Sequence, residues 1–420
     1  MRFLLLPSGP LWAALLILGA AAGISLSGAT AYSGLFLLAL VGCAFFAVQR
    51  LAFAAICVPI GAMGCILFFN AVPRQVDSIY YEHLLQYPYI DIFELIYSSY
   101  KQNLLGDQEA NFAKGSFLLL AQPFVNRNLS YDEMAYLVPN FAVSLVIASL
   151  ISELSMEFCK NHKISSQKIV RTIRSLSAGF FLISPSVMFF SSDFMKDLYA
   201  ILFGLLTAIL FVRRQWAWLA LAVIISFVIR RYNPLMSFCL VMAVKGKGRW
   251  DYAMFAGYAV LMLGIIKLNI AAMANMLLSI VYIYMNPLPF RLENWEFPTG
   301  LLTFQGLVFA ALPVFAVYQV LDRRMRAQGF DRIAISIALF GFLVIAVGYN
   351  NMVNLRGESM EIGRGGDNMT RKAFPALPLI DIQFAFVLAW VGTFLASRRK
   401  EVTVEMPDAS LRNVPPVQTL

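Results

Sequence analysis

Apolar residues in this chain arrive in long runs, and each run ends at a short polar or charged break. About 20 apolar residues cross a hydrocarbon core as a helix, whose backbone hydrogen bonds all close within the segment. By that measure the pattern predicts an all-α, polytopic integral membrane protein of about twelve transmembrane helices. The spans fall near residues 11–29, 33–49, 51–71, 134–156, 176–190, 198–212, 216–229, 234–244, 252–268, 300–320, 333–349 and 375–396. No repeat of 20–50 residues divides them, so residues 1–396 read as one membrane domain. The polar, Pro-containing tail from Ser397 to Leu420 is expected to be disordered. The first run ends in Ala29-Thr30-Ala31, a sequence open to signal cleavage, but the reading keeps it as an uncleaved first span.

Composition agrees with the pattern. Sixty per cent of the 420 residues are hydrophobic and 14% charged, too few charges to cover a soluble surface of this size. A net charge of +9 invites a nucleic-acid reading, which its distribution excludes. With the N-terminus inside, Arg50, the run Lys160–Arg174, Arg213, Arg214, Lys245–Arg249, Arg323–Arg332 and Arg398–Lys400 all fall on one side. That is the positive-inside bias repeated loop after loop, and it predicts that both termini are cytoplasmic. None of the five cysteines (Cys43, Cys57, Cys65, Cys159, Cys239) lies in an outside segment, so no disulfide framework is expected. Only His83 and His162 exist, and nothing in the pattern calls for a metal or another cofactor.

Three outside segments are long. Pro73–Glu133 is rich in Tyr and acids, and apolar residues recur in it at steps of three and four from Ile79 to Tyr100. This predicts interfacial amphipathic helices in the first long periplasmic loop. Asp77, just past a helix end, is the candidate catalytic base, with Glu82 and His83 behind it; a solvated or helix-capping carboxylate is the other reading. Lys267–Thr299 contains the break Asn286-Pro287-Leu288-Pro289-Phe290-Arg291 after an apolar helix, and Arg291 is a candidate cation for substrate. Asn350–Phe374 is glycine-rich and carries Arg371 and Lys372.

Two outside turns are short, and they hold the sharpest physical clue. One hairpin turns at Ser191-Ser192-Asp193-Phe194-Met195-Lys196-Asp197, the next at Arg230-Arg231-Tyr232-Asn233-Pro234. Arms of about 15 residues reach roughly 22 Å, against a core of about 30 Å. Asp193, Lys196, Asp197, Arg230 and Arg231 are therefore predicted to sit within the outer leaflet's depth, where each unpaired charge costs about 2.5–3.5 kcal/mol. Two arrangements offset that cost: the five can pair with one another as structural glue, or the cations can line a pocket for a lipid-linked phosphate, which Arg grips bidentately.

The run Pro73-Arg74-Gln75-Val76-Asp77-Ser78-Ile79-Tyr80-Tyr81 is similar to the start of the first external loop of GT-C-type glycosyltransferases. The corner Ser184-Pro185-Ser186 through Asp197, the hairpin ending in Arg230-Arg231-Tyr232, and the late stretch Gly365–Pro375 resemble bacterial polysaccharide polymerases of the Wzy and EpsG type. The resemblance spans about residues 70–396 as an order of features. It implies transfer of a sugar or glycan repeat unit from a polyprenyl-phosphate or -diphosphate carrier on the periplasmic face of a bacterial inner membrane, building an envelope polysaccharide or exopolysaccharide such as O-antigen. In that frame Asp77 is the base, and Lys196, Arg230 and Arg371 hold phosphate. The implied partners are a polyprenyl-linked sugar or oligosaccharide, membrane lipid, a flippase that delivers donor, and chain-length or export proteins. This chain departs from the GT-C pattern in placing two spans before the loop helix and Ser78 where a second acid is common, which leaves single-sugar transferase and polymerase level. The rival class is a transporter or flippase-like protein of lipid-linked substrates, which predicts inverted repeats that the sequence does not display.

Overall fold

In the computed structural model the residues described are 10–26, 30–73, 79, 136–193, 195–245, 251–285, 287, 290–355, 357–363, 371 and 373–404. They are helical, with no strand among them. Six of the helices are long and apolar enough to cross a membrane, seven when one bent pair is taken as a single span. The protein is membrane-embedded and all-α. Each of the twelve expected spans overlaps a helix or helix pair, a further apolar helix lies at Ile270–Ile280, and several of these are too short to pass a length test for spanning.

The chain begins with α1 (Pro10–Leu26), α2 (Ala31–Val48) and α3 (Ala52–Ala71). Next comes α4 (Leu137–Asn161), 94% of whose apolar window is buried inside the protein. A helix apolar on every face belongs at the centre of a bundle, and α4 occupies that place. Then follow α5 (Gln167–Ile183) and the short α6 (Pro185–Ser191), bent by 55° relative to each other. Pro185 explains the bend, since its ring lacks an N–H and is suited to begin a helix, not to continue one. The peptide freed by the break is satisfied from outside: Ser186 N and Oγ donate to Gln305 Oε1 at 2.8 and 2.9 Å. Gly61 lets α3 press against this corner, because a Cβ there would stand 2.7 Å from the Leu182 carbonyl oxygen.

The next three helices are the short ones foreseen from the hairpins: α7 (Asp197–Val212), α8 (Trp216–Ile229) and α9 (Asn233–Val244). At 16, 14 and 12 residues they are about 24, 21 and 18 Å long at 1.5 Å per residue. After α10 (Asp251–Ile265) a turn through Lys267 and Leu268, both at positive φ, opens directly into α11 (Ile270–Tyr282), capped by Asn269. α11 is the apolar helix expected before the Asn286–Arg291 break, now given its bounds. Ile270–Tyr282 lies against α14 (Phe330–Tyr349), with Tyr284 Oη donating to the Ile337 carbonyl at 2.6 Å. The chain then passes close to α12 (Thr299–Phe309), where Gly306 leaves room: a Cβ would meet the Met285 carbonyl at 2.6 Å. α13 (Leu312–Leu321) completes that span. α14 runs on into a π-helical turn over Asn350–Leu355, and a 3₁₀ turn at Phe374–Ala376 leads into α15 (Leu377–Val404). The last helix thus continues past residue 396, where the polar tail was expected to begin.

One end of the bundle is clamped by charge. Arg213 spans Glu153 and Glu157 of α4 at 2.8 Å each, and Arg174 of α5 donates to Glu153 at 3.0 Å. The two acids are one helical turn apart, so both face the same neighbours. The other end, where α6 hands over to α7 and α8 to α9, carries the candidate site.

Candidate functional site

The two short corners meet. Asp197 is the first residue of α7 and is 0% exposed. Arg230 leaves the end of α8 in an extended conformation and donates through Nη2 to Asp197 Oδ1. Arg371, just before the 3₁₀ turn into α15, donates through Nε to Asp197 Oδ2 at 2.8 Å. One buried carboxylate therefore joins three separate stretches of chain. The arrangement is stable electrostatically because Asp197 occupies the first turn of its helix, where the macrodipole favours a negative group.

A polar lattice beneath holds the corners in place. Asn140, one turn into α4, donates through Nδ2 to the carbonyls of Ser191 and Asp193 at 3.3 and 2.9 Å. Ser144 and Ser191 share a hydroxyl–hydroxyl bond of 2.8 Å. Asn233 opens α9 and reaches across to α7, donating to the Ala200 carbonyl at 2.9 Å and to Ser226 Oγ at 2.7 Å. Asn140 thereby supplies a donor to two carbonyls of the α6–α7 turn.

Arg230 has one donor left over. Arg230 is only 6% exposed, its guanidinium carbon lies 5.8 Å from the centre of the Tyr232 ring, and its Nη1 is buried without a hydrogen-bond partner among the described residues. Among the described residues Asp197 takes both Arg230 and Arg371, and Lys196 precedes it at the N-cap of α7. The N-termini of α7 and α9 lie side by side here, and aligned helix N-termini add to the positive potential.

The expected residues divide as follows. Asp193 is buried and ties the turn through its carbonyl; Lys196, at the N-cap of α7, and Arg231 are half-buried; Asp197, Arg230 and Arg371 form the bonded core. Arg291 is exposed beside the 3₁₀ turn Leu292–Trp295, and no described contact joins it to this group. Asp77, Glu82, His83 and Lys372, and with them the expected interfacial helices of the first loop, lie outside the described residues.

Sequence reasoning missed Asn140, Ser144, Ser191 and Asn233. It also missed a second buried polar set: Gln383 donates to Gln319 at 2.9 Å, and Asp381, 4% exposed within α15, has an Oδ2 with no described partner. The available signal was a single polar residue inside an apolar run. Among the described residues no cluster of His, Cys, Asp and Glu could hold a metal ion. The chain matches no protein-family model, no curated protein and no solved structure.

Proposed function

We propose that this protein transfers a sugar or glycan repeat unit from a polyprenyl-phosphate or -diphosphate carrier at the periplasmic face of a bacterial inner membrane, in the building of an envelope polysaccharide or exopolysaccharide. The topology belonging to this reading is twelve spans with both termini in the cytoplasm, the corner at Asp197 facing the periplasm and the Glu153–Arg213 clamp facing the cytoplasm. The observation that carries the reading is the buried Nη1 of Arg230, which has no hydrogen-bond partner among the described residues, beside a carboxylate that already takes two guanidiniums. A purely structural ion pair needs no such open donor, whereas a phosphate brings the missing acceptor.

In this scheme Arg230 and Arg371 hold phosphate oxygens of the carrier and stabilise the charge that develops as it leaves. Asp77 takes the proton from the acceptor hydroxyl as that oxygen attacks the anomeric carbon of the sugar. The C–O bond to the carrier phosphate breaks, and the carrier departs as its phosphate or diphosphate. The test is turnover of lipid-linked donor by purified protein. Asp77→Asn and Arg230→Ala should each abolish it while the protein still accumulates in the membrane; full activity of both variants would remove the reading.

Asp381 favours a second reading, transport of a lipid-linked substrate. Ionisable groups at membrane depth commonly mark substrate or proton pathways, and this carboxylate has an oxygen without a described partner. Under that reading Asp381→Asn stops movement of the substrate between leaflets in vesicles, while Asp77→Asn does not.

A further inference from the structure

α11 is 13 residues long, about 20 Å at 1.5 Å per residue against a hydrocarbon core of about 30 Å. Its contacts show how it travels along α14. Lys267, just before it, donates through Nζ to Asn354 Oδ1 at 3.5 Å, in the π-helical turn beyond the end of α14. Farther on, a Cβ at Gly341 would stand 2.9 Å from Ser279 Oγ, and Tyr284 Oη reaches the Ile337 carbonyl at 2.6 Å. α11 therefore descends beside α14 and stops partway. The chain beyond it climbs again beside α12. A Cβ at Gly306 would meet the carbonyl oxygens of Met285 at 2.6 Å and Pro287 at 3.2 Å. Nearer the start of α12, Thr303 Oγ1 donates to the Asn294 carbonyl at 2.6 Å, and a Cβ at Gly300 would stand 2.7 Å from the Trp295 carbonyl. α13 packs on α14, and the short link through residues 322–329 makes the two antiparallel. Asn269 and Pro298 thus lie at the same end of the bundle. The chain leaving α14 at that end leads to Arg371 and its bond to Asp197, while Phe330, at the opposite end of α14, packs on Phe386 inside α15.

We propose that residues 269–298 form a re-entrant hairpin, entering and leaving the membrane at the end that carries the Asp197 group, and that Asn275 is the latch that straps the outer loop to it. The inference is independent of the sugar-transfer reading. Asn275 is 0% exposed on α11, and its amide nitrogen donates to the Glu361 carbonyl at 2.8 Å while its oxygen accepts from Gly363 N at 2.6 Å. One carboxamide thus holds a donor and an acceptor of the same backbone stretch. Gly363 sits at φ +87°, a conformation that glycine enters without strain. At the tip, Ile283 and Tyr284 stand with Ser186, Gln305 and Phe374 around one small hollow. The hairpin tip therefore abuts the α5–α6 break, the same corner that leads to Asp197. Irregular backbone at membrane depth is tolerated where protein surrounds it, and α12 and α14 provide that surround. Charge agrees with the geometry. A hairpin adds no crossing, so Arg323, Arg326 and Arg332 stay on the side of the other basic turns, whereas a full crossing by α11 would move them to the opposite side.

The test uses the full-length protein in sealed membrane vesicles of known orientation and an impermeant maleimide, with labelled peptides identified by mass spectrometry. Leu268→Cys and Phe297→Cys lie at exposed positions on the two sides of the hairpin, and Ile362→Cys marks the outer loop. All three should react from the same side. Reaction of Leu268→Cys and Phe297→Cys from opposite sides would make α11 a full crossing and overturn the hairpin. Hydrogen exchange of the peptide containing Gly363 then tests the latch. Asn275→Ala should speed exchange of the Gly363 amide by roughly tenfold or more, the loss of one hydrogen bond. Asn275→Asp keeps the acceptor and should keep that amide protected, which gives a readable result even where Asn275→Ala fails to accumulate. Exchange in Asn275→Ala equal to wild type, or an unprotected Gly363 amide in Asn275→Asp, would overturn the latch.

Discussion

Asp197 has two guanidinium partners, and this redundancy separates two kinds of variant. Arg230→Ala and Arg371→Ala each leave the carboxylate paired, so both proteins should reach the membrane in normal amounts and lose donor turnover. Asp197→Ala leaves two cations facing each other at a buried corner, and breaking a buried pair in this way costs about 3–5 kcal/mol. Its amount in the membrane fraction, measured by immunoblot, should fall sharply. Normal accumulation of Asp197→Ala would show that the group is not what holds the corners together. Asn140→Ala removes both donors from the Ser191 and Asp193 carbonyls. Each unsatisfied buried acceptor costs about 1–3 kcal/mol, so a lower unfolding temperature in detergent is expected, along with a loose α6–α7 turn. The charges of this site were legible in the sequence because Asp197 and Arg230 interrupt apolar runs that are too short. Asn140 and Asn233 were not, since one amide in an apolar run leaves the hydrophobic pattern almost unchanged and its role depends on which turn lies opposite.

At the level of elements, proline and glycine set the shape of the site. Pro185 breaks the α5–α6 span, and Gln305 from a distant helix supplies the acceptor that the broken end needs. Gln305→Leu should therefore orphan the Ser186 amide and hydroxyl and lower stability by about 1–3 kcal/mol, read as a fall in melting temperature. A melting curve unchanged from wild type would mean that the break is satisfied in some other way. The short lengths of α7, α8 and α9 follow from counting residues, and the structure agrees with that count. α11, 13 residues long, was read as the apolar helix before the Pro-rich break but not placed among the spans. Length did not separate the two, since α9 is shorter still; the difference is that α11 stands between a basic turn and a Pro-rich break inside a segment read as a loop.

For the whole molecule, the central idea is an asymmetric bundle. At one end two acids, Glu153 and Glu157, pair with Arg174 and Arg213, and at the other one carboxylate, Asp197, takes two guanidiniums. The proposed topology puts these ends on opposite sides of the membrane. Cysteines introduced at the exposed Ile362 and Phe290 should react with a membrane-impermeant maleimide in intact cells with a permeable outer envelope. One at Arg50 should react only after the inner membrane is opened; the reverse pattern would invert the topology. The measurement that bears most directly on function is equilibrium binding of a polyprenyl diphosphate to purified wild-type protein and to Arg230→Ala. Hydrogen bonds to charged groups contribute about 1.5–3 kcal/mol, so the variant should bind roughly tenfold to a hundredfold more weakly. Equal affinity in the two proteins would contradict the claim that this buried guanidinium holds the anionic carrier.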